Sequence, residues 1–216
     1  VLYLRRHDKW AKSAYAQWGI RHKSYQGPVM GFADWLAKRP VRFAPNLKVW
    51  NEIFGDALNL RNFDEISDVS RDFFDQIGLS GMDHARVYQT PSPEELIAQA
   101  IFNDRFSGVV YPDEYRSALK QNRVGPPNKD RADQFQTLLP TADDLKVALA
   151  DVADDLSFVN SVFSEKGQPE FSSDPVQKGA GQPDPWTLLV FLMKSNFELA
   201  ERVARLEQDL NQLRKD

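Results

Sequence analysis

No cysteine occurs among the 216 residues. That excludes disulfides, thiolate zinc sites and a cysteine nucleophile, and it fits a cytoplasmic protein. Long apolar runs are missing as well. The longest, Trp186 to Met193, has eight residues with a threonine among them, well short of the ~20 that a membrane span requires. Positive charge is not in excess. Against 31 Asp and Glu stand 27 Lys and Arg, a formal net charge of −4, which argues against general nucleic-acid binding. The three histidines, His7, His22 and His84, have no metal-ligand spacing, so no metal site is expected. A glycine-rich phosphate loop is lacking too. Gly179–Gly181 in KGAGQPD forms the one glycine cluster, with neither a strand before it nor a GK[ST] after it.

What is present is enough for a core. Hydrophobic residues at 42% and aromatics at 12% exclude wholesale disorder, and the length suits one full core or a domain with an appendage. The first eighteen residues, VLYLRRHDKWAKSAYAQW, carry the most information. Val1 to Leu4 is a short apolar run that reads as a strand, with Arg5 and Arg6 at its end and Asp8 at a helix start. From Trp10 the pattern is helical, Trp10, Ala14 and Trp18 recurring at spacing four. A strand that ends in arginine and enters a helix sets cations at the carboxyl edge of a sheet. Open α/β sheets bind ligands at that edge, and helix amino termini there favour anions. Arg5 and Ser13 lie eight apart, so a guanidinium from the strand end and a hydroxyl two turns along can meet one phosphate. The plain alternative is a surface arginine and an ordinary helix serine. Arg6 either turns outward or pairs with Asp8.

This strand, arginine, seven residues, then serine resembles the 3′-phosphate-binding segment of PAPS-dependent sulfotransferases. The wording YLRRHDKWAKSAYAQW is similar to a bacterial branch associated with surface polysaccharides, in which a YLRRQD-like string is common. His7 stands where that branch often has glutamine. A second stretch, WNEIFGDALNLRNFDEISDVSRDFFDQIGL from Trp50 to Leu79, strengthens the likeness. It reads as a helix stopping at Gly55, a strand over 57–61, and a helix ending near Ile77 and stopped by Gly78. Its FFDQIGL resembles the family's FLGL-type helix end, and the FVNSVF of 158–163 is looser. The resemblance implies an α/β, P-loop-like sulfotransferase fold. It also implies PAPS as sulfate donor, a carbohydrate hydroxyl as acceptor, and Arg5 and Ser13 as holders of the 3′-phosphate. The family's 5′-phosphosulfate loop lies upstream of this segment. The chain therefore reads as a carboxyl-terminal fragment that lacks half of the donor site and is silent by itself. No catalytic base can be matched.

Further along, Pro91–Glu95 opens a helix that ends near Phe102–Arg105, and Val124 to Asp130 is a loop. Thr141 caps a helix over 142–163. The domain reading is a partial sulfotransferase-like domain over 1–167, a Gly/Pro/Ser/Gln-rich flexible linker over 168–185, and a coiled-coil helix over 186–216. Leu192, Leu199, Leu206 and Leu213 fall at strict sevens, with Leu189, Asn196, Val203 and Leu210 at the matching a positions. This heptad pattern predicts a homodimer through residues 187–214, with Asn196 fixing register. The alternative is a helix packed on its own domain. Arg21, His22 and Lys23 read as a solvated basic run, or as an approach for an anionic glycan. Trp10, Trp18, Trp35 and Trp50 read as packing residues before sugar-stacking ones. Two other functions remain open: a non-catalytic helical protein dimerising through its C-terminal helix, and a related nucleotide-handling transferase or kinase.

Overall fold

The opening apolar run forms strand β1 (Leu2–Leu4), which pairs in parallel with β2 (Leu60–Asn62) in the computed structural model. Leu2 stands opposite Leu60, Tyr3 opposite Arg61 and Leu4 opposite Asn62. The structure describes residues 1–79, 81, 91–120, 134–135, 137–172, 174, 179, 184, 202–203 and 205–207. Within them the fold is helix-rich with a small parallel sheet, a mixed α/β arrangement. No helix among the described residues is long and apolar enough to cross a membrane.

From β1 the chain enters α1 (His7–Ala14) and continues into a wider π-helical turn, Tyr15–Arg21. Gly19 permits that turn, because a Cβ there would run into the Tyr15 ring. The turn's last carbonyls are satisfied from outside. Gln99 and Asn103 on α5 (Pro93–Asn103) donate to the carbonyls of Arg21 and Ile20, as buried backbone acceptors require. α2 (Phe32–Lys38) and α3 (Ala44–Phe54) precede β2, and Gly55 ends α3 with φ +48°. A 3₁₀ turn, Gly55–Ala57, takes up the first residue predicted as strand, and β2 begins only at Leu60. α4 (Val69–Gln76) starts on an Asp68 cap and stops before Gly78, whose φ is +78°.

α6 (Pro112–Lys120) follows α5, which opens on a Ser92–Glu95 capping box. The helix predicted over 142–163 is in fact two. α7 (Ala142–Ala150) has a Thr141–Asp144 capping box, and after a turn at Asp151–Val152 comes α8 (Ala153–Glu165). The break lets each half serve a different core. Leu145 and Ala148 of α7 join Ala11, Tyr15, Ile20 and Trp35, whereas Val159, Val162 and Phe163 of α8 join Leu4, Leu47 and Leu60. Each fully buried aliphatic or phenyl side chain contributes roughly 1.5–3 kcal/mol, so separate cores outweigh an unbroken helix.

One reading needs correction, and Arg6 takes the second of its two expected courses. Lys23 is not solvated: it is fully buried, and its Nζ donates to the carbonyls of Gly108 (2.6 Å), Phe106 (2.9 Å) and Tyr25 (3.3 Å). Burial pulls its ammonium below the ordinary lysine value, against the raising effect of Asp104. Arg6 does not turn outward. It is buried, grips Asp8 with two hydrogen bonds (2.7 and 3.0 Å) and donates to the carbonyls of Ser172 and Asp174. The tryptophans divide, Trp35 being buried while Trp18 and Trp50 are exposed.

The opening of the stretch read as a linker is tied to the body. Asn160 exchanges two hydrogen bonds with the Phe171 backbone, and Asn62 donates to the carbonyls of Pro169 and Glu170. Gly179 accepts from Lys12 and lies against the cap of α7, where a Cβ would come within 2.8 Å of backbone. Of the predicted C-terminal heptads, Arg202–Val203 and Arg205–Glu207 are helical. The remainder, and the loop predicted over 124–130, lie outside the described residues.

Candidate anion-binding site

The site is built where β1 hands over to α1. Along β1 alternate residues face opposite ways, so Leu4 and Arg6 are buried and Arg5 between them reaches the surface. Beyond the last strand pair, the Arg5 guanidinium lies over the Phe63 ring, 5.2 Å from its centroid. The next residue, Asp64, turns its carboxylate under the start of α1. Its Oδ2 accepts the Arg6 backbone N–H at 3.0 Å, while its Oδ1 is 3.2 Å from Lys9 Nζ and 3.7 Å from Arg5 Nε. Asn62 Oδ1 accepts the Asp64 backbone N–H at 2.9 Å and fixes the turn. The Asp64 side chain is 11% exposed, against 36% for Arg5 and 44% for Lys9.

Ser13 is exposed on α1, four residues past Lys9 and therefore on the same helix face. Arg5, Lys9 and Ser13 thus form a row running from the sheet edge up the helix. Among the described residues no hydrogen bond joins Arg5 to Ser13. The two residues singled out from sequence are present, and Lys9 and Asp64 are the additions. Lys9 was legible as the i−4 neighbour of Ser13. Asp64 was not, because only the β1–β2 pairing brings 64 to 5.

No family model, curated protein or solved structure matches this chain. What the site can do therefore rests on its own chemistry: two part-exposed cations and a hydroxyl, set at the carboxyl end of a parallel strand. The sheet beneath is braced by Asp72 of α4, which accepts from Tyr3 Oη at 2.6 Å and from Arg61 Nε at 3.3 Å. Burial and the Asp72 hydrogen bond push the Tyr3 phenol up to about 12. Burial alone would raise Asp72, but the bonds from Tyr3 and Arg61 outweigh it and hold the carboxyl below its ordinary value.

A second polar group lies deeper, and sequence reasoning missed it. His7 Nε2 is 2.7 Å from Asp155 Oδ2, and the Asp155 carboxylate also accepts the backbone N–H groups of Phe43 (2.9 Å) and Ala44 (3.1 Å) at the start of α3. Burial holds the imidazole below its ordinary pKa, against the raising effect of the Asp155 bond and charge. Since a carboxylate oxygen accepts, the hydrogen-bond pattern assigns a ring proton to Nε2. The ring leans on Phe43 at 4.5 Å, and Nδ1 is buried without a hydrogen-bond partner among the described residues. His7 also borders an apolar cavity of about 270 Å³ between α1, α2 and α7. Among the described residues no group of three or more His, Asp or Glu side chains is placed to hold a metal.

Proposed function

We propose that residues 1–80 form the 3′-phosphate-binding part of a P-loop-like sulfotransferase domain, and that the full-length protein transfers sulfate from PAPS to a carbohydrate hydroxyl. One observation carries this reading. A part-exposed arginine leaves the carboxyl end of a parallel strand directly before a helix that presents an exposed serine eight residues on. Parallel α/β sheets bind their ligands at that edge. Arg5 supplies a charge-assisted donor and Ser13 a hydroxyl donor to the phosphate oxygens. In the reaction, the acceptor oxygen bonds to sulfur while the bond from sulfur to the 5′-phosphate oxygen breaks. The acceptor proton passes to a base, and adenosine 3′,5′-bisphosphate departs. Arg5→Ala should weaken binding of that bisphosphate by roughly 1.5–3 kcal/mol, about ten- to a hundredfold. Calorimetry returning an unchanged affinity would remove the assignment.

A dimer through residues 187–214 belongs to the same proposal and is the core of the alternative, a non-catalytic interaction protein. It is favoured by the helical conformation at Val203 and Leu206. These two heptad positions are 44% and 54% exposed in the single chain.

A further inference from the structure

Three donors surround Asp64, and as placed its carboxylate reaches two of them. Oδ2 is taken by the Arg6 N–H, and Oδ1 sits nearer Lys9 than Arg5. At 3.7 Å the Arg5 Nε is beyond hydrogen-bond distance, and it is buried with no hydrogen-bond partner among the described residues. Among the described residues two cations, Arg5 and Lys9, also pair with the single charge of Asp64. A phosphomonoester answers both shortfalls. It brings three terminal oxygens and about −1.5 to −2 charge at pH 7, enough to meet Arg6 N–H, Lys9 Nζ and Arg5 Nε together.

We propose that Asp64 is a stand-in anion held in the phosphate seat, and that a phosphomonoester dianion binds by displacing its carboxylate from between Arg5 and Lys9. This rests on the reading that Arg5 holds a phosphate. The Asp64 backbone stays anchored by Asn62 while the side chain leaves. Lys9 becomes a direct phosphate ligand, and Asp64 sets a threshold. An incoming anion of one charge does no better than the carboxylate already present, so the seat favours dianions. Apparent affinity is reduced by the fraction of molecules in which the seat is filled.

The test is calorimetric titration of the full chain with adenosine 3′,5′-bisphosphate and, separately, with inorganic phosphate. Asp64→Asn keeps the hydrogen-bonding shape but removes the competing charge, and should bind the bisphosphate about tenfold more tightly than wild type if the seat is filled nine times in ten. Lys9→Ala changes an exposed side chain and should bind about tenfold more weakly with an unchanged melting temperature. Inorganic phosphate gaining as much affinity as the nucleotide would identify free phosphate as the occupant, and a larger nucleotide gain would identify the nucleotide. Equal or weaker binding by Asp64→Asn, with Arg5→Ala still impaired, overturns the displacement and leaves the phosphate reading standing. Should Asp64→Asn fail to fold, Asp64→Ser, which keeps an oxygen near the Arg6 N–H and removes the charge, replaces it, and no gain in affinity overturns the displacement. No effect of Arg5→Ala overturns both.

Discussion

At the scale of single residues, His7 shows how one side chain can hold parts far apart in sequence. Its imidazole meets Asp155 across 148 positions, and Asp155 in turn caps the start of α3. Because burial depresses the folded-state pKa below the ordinary 6.5, the unfolded chain takes up its proton first as pH falls. The His7 contribution is whole above about pH 6.5 and is lost as pH drops from there towards the folded value. Urea unfolding at about pH 7.5 and about pH 5 should show this loss in wild type. His7→Gln retains an N–H for Asp155 and removes the titration, so its midpoint should change less between the two conditions. His7→Ala should lose about 2–4 kcal/mol already at the higher pH, through the cavity and the missing donor. Equal pH sensitivity in wild type and His7→Gln would show that another group carries the effect.

At the scale of elements, the chain's punctuation was legible and its tertiary pairing was not. Gly55, Gly78, Ser92 and Thr141 stop or start helices where their local chemistry says they should, because a cap needs only the residues beside it. The turn at Asp151–Val152 carries no glycine or proline, so nothing local marks it. It exists because α7 and α8 belong to different cores. Lys23 misled for the same reason, since three carbonyls from Tyr25, Phe106 and Gly108 become its surroundings only after folding. In the candidate site Arg5 and Ser13 were readable as a spacing, whereas Asp64 depended on strand register. The π-helical turn offers a direct check on element packing. Gly19→Ala would press a methyl group into the Tyr15 ring, which is held by its bond to the Met30 carbonyl and packed on Phe32 and Trp35. A loss of about 1–3 kcal/mol is expected, as for overpacking elsewhere. Circular dichroism melting should show it, and an unchanged melting temperature would mean that the turn relaxes freely.

At the scale of the whole molecule, two cores meet where Phe43 packs against both and His7 reaches Asp155. The proposed dimer adds a further apolar surface, and its energy should reside in the heptad side chains, since exposed ion pairs contribute only ~0.2–1 kcal/mol each. Replacing Val203 and Leu206 together by alanine should turn a dimer into a monomer in sedimentation while leaving the melting of the body unchanged. A wild-type chain that sediments as a monomer at every concentration tested would count against association. The buried Lys23 has a different consequence. Its amine is shut away by the contacts that join the end of the π-helical turn to the segment after α5, with an antiparallel bridge from Lys23 to Val110 beside it. Such a nitrogen is chemically inert while those segments stay closed and becomes an ordinary nucleophile when they part. The polypeptide therefore carries its own reporter of opening, a lysine whose reactivity keeps time with the breathing of the fold.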